Sequence, residues 1–440
     1  EGFLGEKIFH KGLSAYLNTH AYGNAQTKDL WKAWSEAGDG KIDVETIMNS
    51  WTKQEGFPLV TITVNANRTG YTASQSRFFA SPSAKLTAAE KIKELEKDPE
   101  NNITGNPIWH IPLTIVTQPK RRGLAGWIKN SHISGQGGYP DMEMVWMTGG
   151  GALVEWEKPV GWVKANVDQV GVYRVTYDDE TWGLLAAQLR KNHRVLTPTD
   201  RAGLIGDAFA LARASYVGLT LPLNLTRYLN KERSYLPWSA ALKGLGTLGH
   251  LLRSRPAYGE FCKYLNALVG PPIRRVGWRE GGSHLDRYLR TELYNAALEC
   301  DNDMASIGVL REFQRWSKGG SWKENKRGFK VPPDHRYLVY ATGVRRGGEK
   351  AWQKVHTAHE AAVRDGKSSE EAKLRTALAA AGEPWLLRRT LAMALDESEI
   401  RRQDSIGLIC AVADNPIGES LAWEFVQENW KELRKRYGSL

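Results

Sequence analysis

The sequence predicts a multidomain α+β protein, with helices at its start, then a small antiparallel β-sandwich, then a large α-helical solenoid. Two observations predict this class. Between residues 57 and 178 apolar residues alternate with polar ones, which is the period of half-buried strands. After Asp178 they recur every three or four residues, which is the period of amphipathic helices. The expected domains are therefore residues 1–56, 57–178 and 179–440.

Length and composition are those of a globular chain. At 440 residues the sequence is long enough for two or three domains, each with its own core. Hydrophobic residues make up 41% of it, and no apolar run approaches the roughly 18 residues that a membrane-spanning helix requires. The first residues do not show the basic and apolar regions of a signal peptide. We therefore expect any anchor or signal of a parent protein to lie outside this sequence.

The net charge of +11 raises the question of nucleic-acid binding. The cationic runs are short, scattered and close to glycines: Lys120 to Arg122, Arg274 to Arg275 and Arg345 to Arg346. Neither a basic recognition helix nor an aromatic RNA-binding strand accompanies them. Solvated loops explain these runs, so no nucleic acid is expected among the partners.

Residues 1–56 have the pattern of three helices. Apolar residues from Phe3 onward fall near one face, and a second amphipathic segment begins at Asp29. Asp43 precedes a third apolar repeat and is an expected N-cap. Three helices alone form too small a core to bury their apolar stripes, which indicates that they belong to a larger domain.

Residues 57–178 have the pattern of short strands. Val60, Ile62 and Val64 alternate with threonines, and similar alternation recurs around residues 108–115, 142–146 and 153–156. Gly, Pro and Asn clusters separate these segments, which favours a small antiparallel sandwich. Between them, residues 87–98 are strong helix formers that end at a proline, and they predict an inserted helix or a solvated charged segment.

The stretch from residue 161 to residue 182 ends the strand region and opens the helical region. Alternation in residues 162–167 and again in residues 173–177 predicts two half-buried strands, joined by a short turn at Asp168 and Gln169. From Trp182 onward the helical period begins. This stretch is therefore the expected junction between the two regions.

Beyond residue 178 the sequence predicts about a dozen helices with short polar breaks. Examples are residues 200–214, 238–252, 285–298, 368–380, 397–412 and 419–433. Helices of similar length that are joined by short loops pack antiparallel to their neighbours, and a series of such pairs builds a curved, HEAT-like solenoid with a concave face. Because no strict period is present, the region is not a consensus repeat array.

The octapeptide from Gly171 to Asp178, Gly-Val-Tyr-Arg-Val-Thr-Tyr-Asp, resembles the Gly-Tyr-Tyr-Arg-Val-Asn-Tyr-Asp signature of zinc aminopeptidases of the aminopeptidase N type. Other motifs follow in that family's order over nearly the whole chain: Ala21-Tyr22-Gly23-Asn24, Trp51-Thr52-Lys53-Gln54-Glu55-Gly56-Phe57-Pro58, Asp200-Arg201-Ala202, Asp207-Ala208-Phe209, Tyr235-Leu236-Pro237-Trp238, Arg402-Gln403-Asp404, and Asn415-Pro416-Ile417-Gly418 with Trp423. The resemblance implies that residues 1–56 end a thermolysin-like catalytic domain and that residues 179–440 form most of a helical domain covering its active site.

In the family that this sequence resembles, the zinc ligands, the catalytic glutamate and the catalytic tyrosine all precede the region to which this sequence corresponds. The resemblance therefore implies the C-terminal portion of a zinc aminopeptidase that removes N-terminal residues from peptides. We expect zinc in the full-length parent, but no catalytic residue, metal ligand or bound zinc in this chain. The expected partners are peptides at the concave face, the missing catalytic domain and, in a homodimer, a second copy. A non-catalytic peptide- or protein-binding module and a pseudo-enzyme are the alternatives.

The signature residues are expected to have structural roles at the junction. They are Gly171, Tyr173, Arg174, Tyr177 and Asp178. Arg174 has the reach to pair with a carboxylate across the junction, and Asp178 is placed to cap the following helix; simple packing between domains is the alternative role. Asp207 lies within an apolar run and is expected to satisfy a neighbouring helix end.

Two clues to the cellular compartment point in opposite directions. N-glycosylation sequons at Asn67, Asn102 and Asn224 matter only in a secreted protein. The three cysteines do not make a disulfide framework. Two pairs that extracellular family members bridge look absent, because Ala341 and Ala380 stand at one position of each and Cys300 lacks its near partner, which favours a reducing compartment or a lineage without these bridges. An extracellular or cell-surface ectodomain is favoured over a cytoplasmic protein.

The sequence Gly244-Leu-Gly246-Thr-Leu-Gly249 matches the dinucleotide-binding fingerprint literally. That fingerprint requires a preceding strand and an acidic residue about 20 positions later. Here Pro237 and Trp238 start a helix that runs through the glycines, and the later stretch is apolar or basic. Close packing between helices therefore explains these glycines.

Two further patterns resemble metal sites. His356, His359 and Glu360 combine two imidazoles with a carboxylate, but zinc proteases place their two histidines at i and i+4, so a surface helix with scattered histidines is expected. Asp301 to Asp303 with Glu312 match three positions of a calcium loop, but serine stands where the loop requires glycine. An N-cap for the next helix explains these acids.

Overall fold

The computed structural model describes residues 1–87, 107–118, 139, 141–278, 281–318 and 331–438. Helices and two small β-sheets make up these residues, so the predicted α+β class is confirmed. The predicted helix after Thr87, the cationic run from Lys120 and the sequon at Asn102 lie outside the described residues. None of the helices among the described residues is long and apolar enough to cross a membrane.

The chain divides into two compact units. The first comprises Glu1–Glu232 with Leu236–Gly244, and the second comprises Arg233–Tyr235 with Leu245–Leu440. The first unit therefore contains the strands together with helices that precede and follow them in sequence. The three predicted domain boundaries stay predictions.

Three helices open the first unit: α1 (Glu6–Thr19), α2 (Thr27–Ala37) and α3 (Val44–Thr52). Asp43 accepts a hydrogen bond from the Thr46 N–H at 3.0 Å, which confirms its predicted N-cap. Leu4, Trp31 and Val44 form a small buried cluster with partly buried apolar neighbours. Most of the other apolar side chains of these helices, such as Ile8 and Phe9, are only partly buried.

Within the described part of the chain, seven strands form two sheets. They are β1 (Pro58–Val64), β2 (Gly70–Arg77), β3 (Ile111–Thr117), β4 (Glu143–Met147), β5 (Gly151–Glu155), β6 (Val163–Ala165) and β7 (Arg174–Tyr177). The strand order is β5-β2-β1-β7 in one sheet and β4-β3-β6 in the other. All pairs are antiparallel except β1 with β7, so the predicted purely antiparallel arrangement is wrong there. The chain crosses through the second sheet before β7, and such a long crossover permits parallel pairing.

The two strands and the turn predicted in residues 161–182 are present as β6, β7 and a short 3₁₀ turn at residues 167–169. The two strands belong to different sheets. Asn166, Asp168 and Gln169 have positive φ angles at the turn, which change the direction of the chain. Both faces of β6 are buried. The polar residue in its apolar–polar alternation is Lys164, which is buried and does not mark an exposed face. Strand β2 escaped prediction because it has few apolar residues.

Helices complete the first unit and make up the second. After β7 come α4 (Asp179–Asn192), α5 (Pro198–Arg213), α6 (Thr220–Thr226) and α7 (Tyr235–Leu252). They are followed by α8 (Tyr258–Val276), α9 (His284–Glu299), α10 (Asp303–Ser317), α11 (Arg336–Arg364), α12 (Ser368–Leu378), α13 (Pro384–Met393), α14 (Arg402–Asp414), α15 (Gly418–Glu428) and α16 (Trp430–Tyr437). The helical pattern is confirmed, but the predicted helix 419–433 is two helices and the predicted helix 397–412 begins only at Arg402.

Consecutive helices of the second unit pack against each other in pairs: α8 with α9, α10 with α11, α11 with α12, and α14 with α15. Helix α11 contains a non-helical residue, Gly348, with a φ of 58°. Glycine adopts this conformation without strain. This helix of 29 residues contacts both α10, which precedes it, and α12, which follows it.

A disulfide bond joins Cys262 in α8 to Cys300 at the end of α9, with the two Cα atoms 5.1 Å apart. This corrects the expectation that the cysteines form no bridge. A separation of 38 residues matches no short cysteine motif, and only the packing of α8 on α9 brings the two side chains together. Cys410 is a free and exposed thiol.

The disulfide should stabilise the second unit. We expect the Cys262→Ser variant to lose about 2–4 kcal/mol of unfolding free energy, because the bond closes a long loop in the unfolded chain. Urea denaturation measures this, and Cys410→Ser is the matched control with little effect. Thiol titration of unreduced, denatured protein should give one thiol per chain; three thiols would contradict the bond.

Candidate functional site

Asn166 stabilises the turn that precedes the octapeptide of residues 171–178. The Asn166 Nδ2 group donates to the carbonyl oxygens of Gly171 and Tyr173, each at 3.0 Å, and its Oδ1 atom accepts from the Gly171 N–H at 2.9 Å. A Cβ atom at position 171 would lie 2.0 Å from the Tyr173 ring, so only glycine fits there. Gly171 is therefore a packing requirement of the turn.

A buried lysine lies immediately before this turn. Lys164, in β6, is only 1% exposed, and its ammonium pairs with Asp200 in α5 and donates to the Asn166 carbonyl oxygen. Asp200 also accepts from the Asp168 N–H at 2.7 Å. Burial lowers the pKa of Lys164, and the carboxylate of Asp200 opposes that shift. The buried ammonium therefore depends on α5 for its counterion.

A second ion pair connects α5 to the other sheet. Arg174 Nη1, in β7, lies 3.0 Å from Asp207 Oδ1, and Asp207 Oδ2 accepts from the Val175 N–H at 3.1 Å. The predicted reach of Arg174 to a carboxylate is confirmed, whereas Asp207 satisfies a strand and not a helix end. Burial raises the pKa of Asp207 to about 6, although Arg174 and the Val175 N–H both lower it.

One face of α5 therefore holds both sheets. Asp200 and Asp207 are seven residues apart, which is close to two helical turns and places them on the same side of the helix. The first carboxylate binds β6 through Lys164, and the second binds β7 through Arg174. Because the two strands belong to different sheets, this helix fixes their relative position.

Tyr177 and Asp178 complete the junction. The Tyr177 hydroxyl accepts from the Ala165 N–H at 2.9 Å, which links β7 to β6, and its ring packs edge-on against Trp182. Asp178 accepts from the Thr181 N–H at 2.7 Å and from the Val64 N–H at 2.9 Å. Its predicted role as the N-cap of α4 is confirmed.

The signature segment offers little room for a substrate. A cavity beside Trp162 and Asp178 has a volume of about 10 Å³, which is enough for a single water molecule. The polar atoms of Asn166, Arg174 and Asp178 bind backbone groups or charged partners of the same unit. This arrangement orients strands and helices, and it does not place reactive groups around an open space.

The two described sequons lie on the surface. Asn67 is exposed in the turn between β1 and β2, and Asn224 is exposed on α6. The hydroxyl of Thr226, the third residue of that sequon, is buried and donates to the Pro222 carbonyl oxygen at 3.1 Å. Glycosylation at these positions stays a prediction.

The two histidines of α11 lie differently from the sequence expectation. His356 and His359 are 6% and 1% exposed, so the predicted surface helix with scattered histidines is wrong. His356 Nε2 lies 3.0 Å from Glu399 and His359 Nε2 lies 3.2 Å from Glu371. The two imidazoles therefore face different carboxylates and do not converge on one ion.

A different set of ligand atoms does converge at this helix. One ligand atom from each of His356, Glu360 and Glu399 lies within 4.8 Å of the other two. His356 and Glu360 have i, i+4 spacing, a signal that the sequence contained. Glu399 is 39 residues beyond Glu360 and arrives only through the tertiary fold, so sequence reasoning missed the cluster.

The remaining patterns have structural explanations. The three glycines lie inside α7, and a Cβ atom at Gly244 would lie 2.3 Å from the Phe209 ring, which confirms close helix packing. In the segment that partly matches a calcium loop, Asn302 caps α10 by accepting a hydrogen bond from the Ala305 N–H at 3.1 Å. Asp301 pairs with Arg346, so the cap comes from the asparagine and not from the acids.

Comparisons with known proteins identify similar sequences over the whole chain. Residues 162–440 match the family described as the ERAP1-like C-terminal domain, and residues 1–51 match the Peptidase family M1 domain. The chain is 33% identical over 450 residues to the thyrotropin-releasing hormone-degrading ectoenzyme of Homo sapiens, covering 99% of this chain and 39% of that protein. It is 32% identical to aminopeptidase N of Homo sapiens and 31% identical to aminopeptidase A of Gloydius brevicauda, again over 99% of the chain, covering 42% and 41% of those proteins. The chain thus spans about two fifths of the length of these relatives.

The Lys164→Met variant should lose about 3–5 kcal/mol of unfolding free energy, because it leaves Asp200 buried without its counterion. Urea denaturation measures the loss. Lys263→Met is the matched control, since Lys263 pairs with Glu260 on the surface and contributes at most about 1 kcal/mol. Equal stability of the two variants would contradict the role of the buried pair, and a Lys164→Met/Asp200→Leu double variant should recover part of the loss.

The pKa of Asp207 predicts a pH dependence. Its folded-state pKa of about 6 lies above its ordinary value of 3.8, so the folded state binds a proton that the unfolded chain releases between these pH values. The stabilisation from this proton increases as the pH falls from about 6 towards 4. As the pH falls from 7 to 4, the unfolding free energy of the wild type should therefore increase relative to that of Asp207→Asn. A constant difference would contradict the raised pKa.

Proposed function

Because the chain belongs to the M1 peptidase family, as the C-terminal portion of an M1 aminopeptidase, we propose that its parent protein releases N-terminal residues from peptides. In that protein this portion supplies architecture and not catalytic groups. The observation that supports the proposal is the match of two family segments in order, residues 1–51 and 162–440, together with identity that extends over 99% of the chain.

The proposed role is a sandwich spacer followed by a helical cover over a substrate chamber. The two sheets, held by α5 through Asp200 and Asp207, form a firm spacer. The sequential pairing of helices in the second unit is what a HEAT-like solenoid requires. Peptides at a concave helical face, the catalytic portion of the parent and a second copy of the chain are the proposed partners.

We propose that the catalytic zinc and its ligands belong to another part of the parent protein. The family-type ligand set is two histidines at i and i+4 with a more distant glutamate. His356 and His359 are at i and i+3 and face separate carboxylates, so they do not fit that set. Within the matched residues 1–51, no His-Glu-x-x-His motif occurs.

An extracellular or cell-surface ectodomain is the proposed location. One similar protein is named an ectoenzyme. The Cys262–Cys300 disulfide and the exposed asparagines of two sequons support the same location, because disulfides persist in oxidising compartments and N-glycosylation occurs in secreted chains. These observations outweigh the apparent loss of the family's other cysteine pairs.

Peptidase assays test the proposed function. The full-length product of the gene should hydrolyse aminoacyl-anilide substrates and lose that activity when zinc is removed, whereas residues 1–440 alone should show none. Substitution of the first histidine of a His-Glu-x-x-His motif upstream is the inactive control. A full-length protein without activity would favour a pseudo-enzyme or a binding module, and zinc-dependent activity of residues 1–440 alone would overturn the proposed division of roles.

A further inference from the structure

Helix α11 and the segment before α14 bring three cation-binding side chains together in the second unit. His356 and Glu360 are one helical turn apart on α11, and Glu399 lies in the turn before α14. One ligand atom from each lies within 4.8 Å of the other two. Ligand atoms about 2.0–2.2 Å from one ion must lie within about 4 Å of each other, and His356 Nδ1 and Glu360 Oε1 are already 3.9 Å apart.

The free nitrogen of His356 is oriented for a ligand. The residue is 6% exposed, and its Nδ1 atom has no hydrogen-bond partner among the residues that the structure describes. This atom lies 3.9 Å from Glu360 Oε1, too far for a hydrogen bond but close to the separation of two atoms that bind one ion. An unpartnered polar atom at such depth is uncommon in folded proteins, and a bound ion would satisfy it.

The ring of His356 is held in this orientation from two sides. Its Nε2 atom lies 3.0 Å from Glu399, and the ring stacks on buried Trp352 with an angle of 9° between the planes. The turn that presents Glu399 is fixed by hydrogen bonds from Ser398 and Ile400 to Asp396. A carboxylate that holds one ring nitrogen, while the other faces a ligand, is the usual arrangement around metal-bound histidines.

Space and charge beside the cluster also suit a hydrated cation. A cavity of about 150 Å³ adjoins Glu399 and has room for several water molecules. Its lining includes the carboxylates of Glu371, Glu397 and Glu399, opposed by the cations of Lys367 and Arg401. Arg375 and Arg401 pair with Glu371, and Arg436 pairs with Glu397, whereas Glu360 and Glu399 both face His356. Water from the cavity can complete the coordination.

We propose that His356 and Glu360, with Glu399 as the carboxylate that orients the ring, bind a divalent transition-metal cation of the zinc class. His356 Nδ1 and Glu360 are direct ligands, and Glu399 fixes the ring and supplies the second negative charge. An imidazole ligand favours Zn²⁺ over Mg²⁺ or Ca²⁺, which prefer all-oxygen sites. The ion would join α11 to the segment before α14 and stabilise the second unit; it has no part in peptide hydrolysis, and the inference does not depend on the proposed function.

Isothermal titration of residues 1–440 with Zn²⁺ tests the site. We expect one ion per chain, a rise in Tm with Zn²⁺, and affinity at least about tenfold weaker in His356→Gln, Glu360→Gln and Glu399→Gln. Glu360 is 44% exposed, so its variant tests the site even if the His356 variant unfolds. The matched controls are Glu397→Gln, which removes a charge from the same cavity, and His284→Gln, which removes an exposed imidazole; both should bind as wild type does.

Imidazole ¹⁵N spectra give a second readout, because Zn²⁺ should shift the Nδ1 signal of His356 and leave that of His359 unchanged. No Zn²⁺ binding by the wild type would overturn the proposal. So would Zn²⁺ binding of equal strength in the three ligand variants, since the ion would then be on other residues. Residues 1–440 should remain inactive as a peptidase with Zn²⁺ bound, which keeps this test separate from that of the proposed function.

Discussion

The buried ammonium of Lys164 is the constraint on which the first unit depends. An ammonium taken out of water destabilises the fold by several kcal/mol unless a counterion and hydrogen-bond acceptors replace the solvent. Asp200 and the Asn166 carbonyl oxygen supply them, so α5 must pack where the two meet. Two helical turns later Asp207 binds Arg174 of the other sheet. One helix thereby connects two sheets that, in the part of the chain the structure describes, share no hydrogen-bonded strand pair.

This arrangement explains what the side chains of the octapeptide of residues 171–178 contribute to the fold. Gly171 fits beneath a tyrosine ring, Arg174 binds a helix, Tyr177 binds the opposite sheet, and Asp178 caps α4. Each side chain meets a geometric requirement of the junction between strands and helices. A sequence motif of this kind indicates a shared architecture. The octapeptide lies within the segment that matches the family, and its side chains maintain the packing of that segment.

The second unit is stabilised by contacts between segments that are distant in sequence. The Cys262–Cys300 bond joins α8 to the end of α9, while His356 and His359 connect α11 to Glu399 and Glu371. A buried histidine needs a hydrogen-bond partner, which an apolar side chain at the same position would not need. Polar groups placed in this way fix the register between helices, and in His356 they leave one nitrogen facing a second carboxylate.

The sequence by itself determined the helical and strand regions, the N-caps at Asp43 and Asp178, the packing glycine at position 244 and the family, because each depends on local periodicity or on a contiguous motif. Only the tertiary structure decided the partners of β6 and β7, the disulfide, and the cluster of His356, Glu360 and Glu399. Strand pairing, bridging and ligand convergence require residues tens of positions apart to meet. Periodicity reports which face of a segment is buried, but it does not report which distant side chain lies against that face.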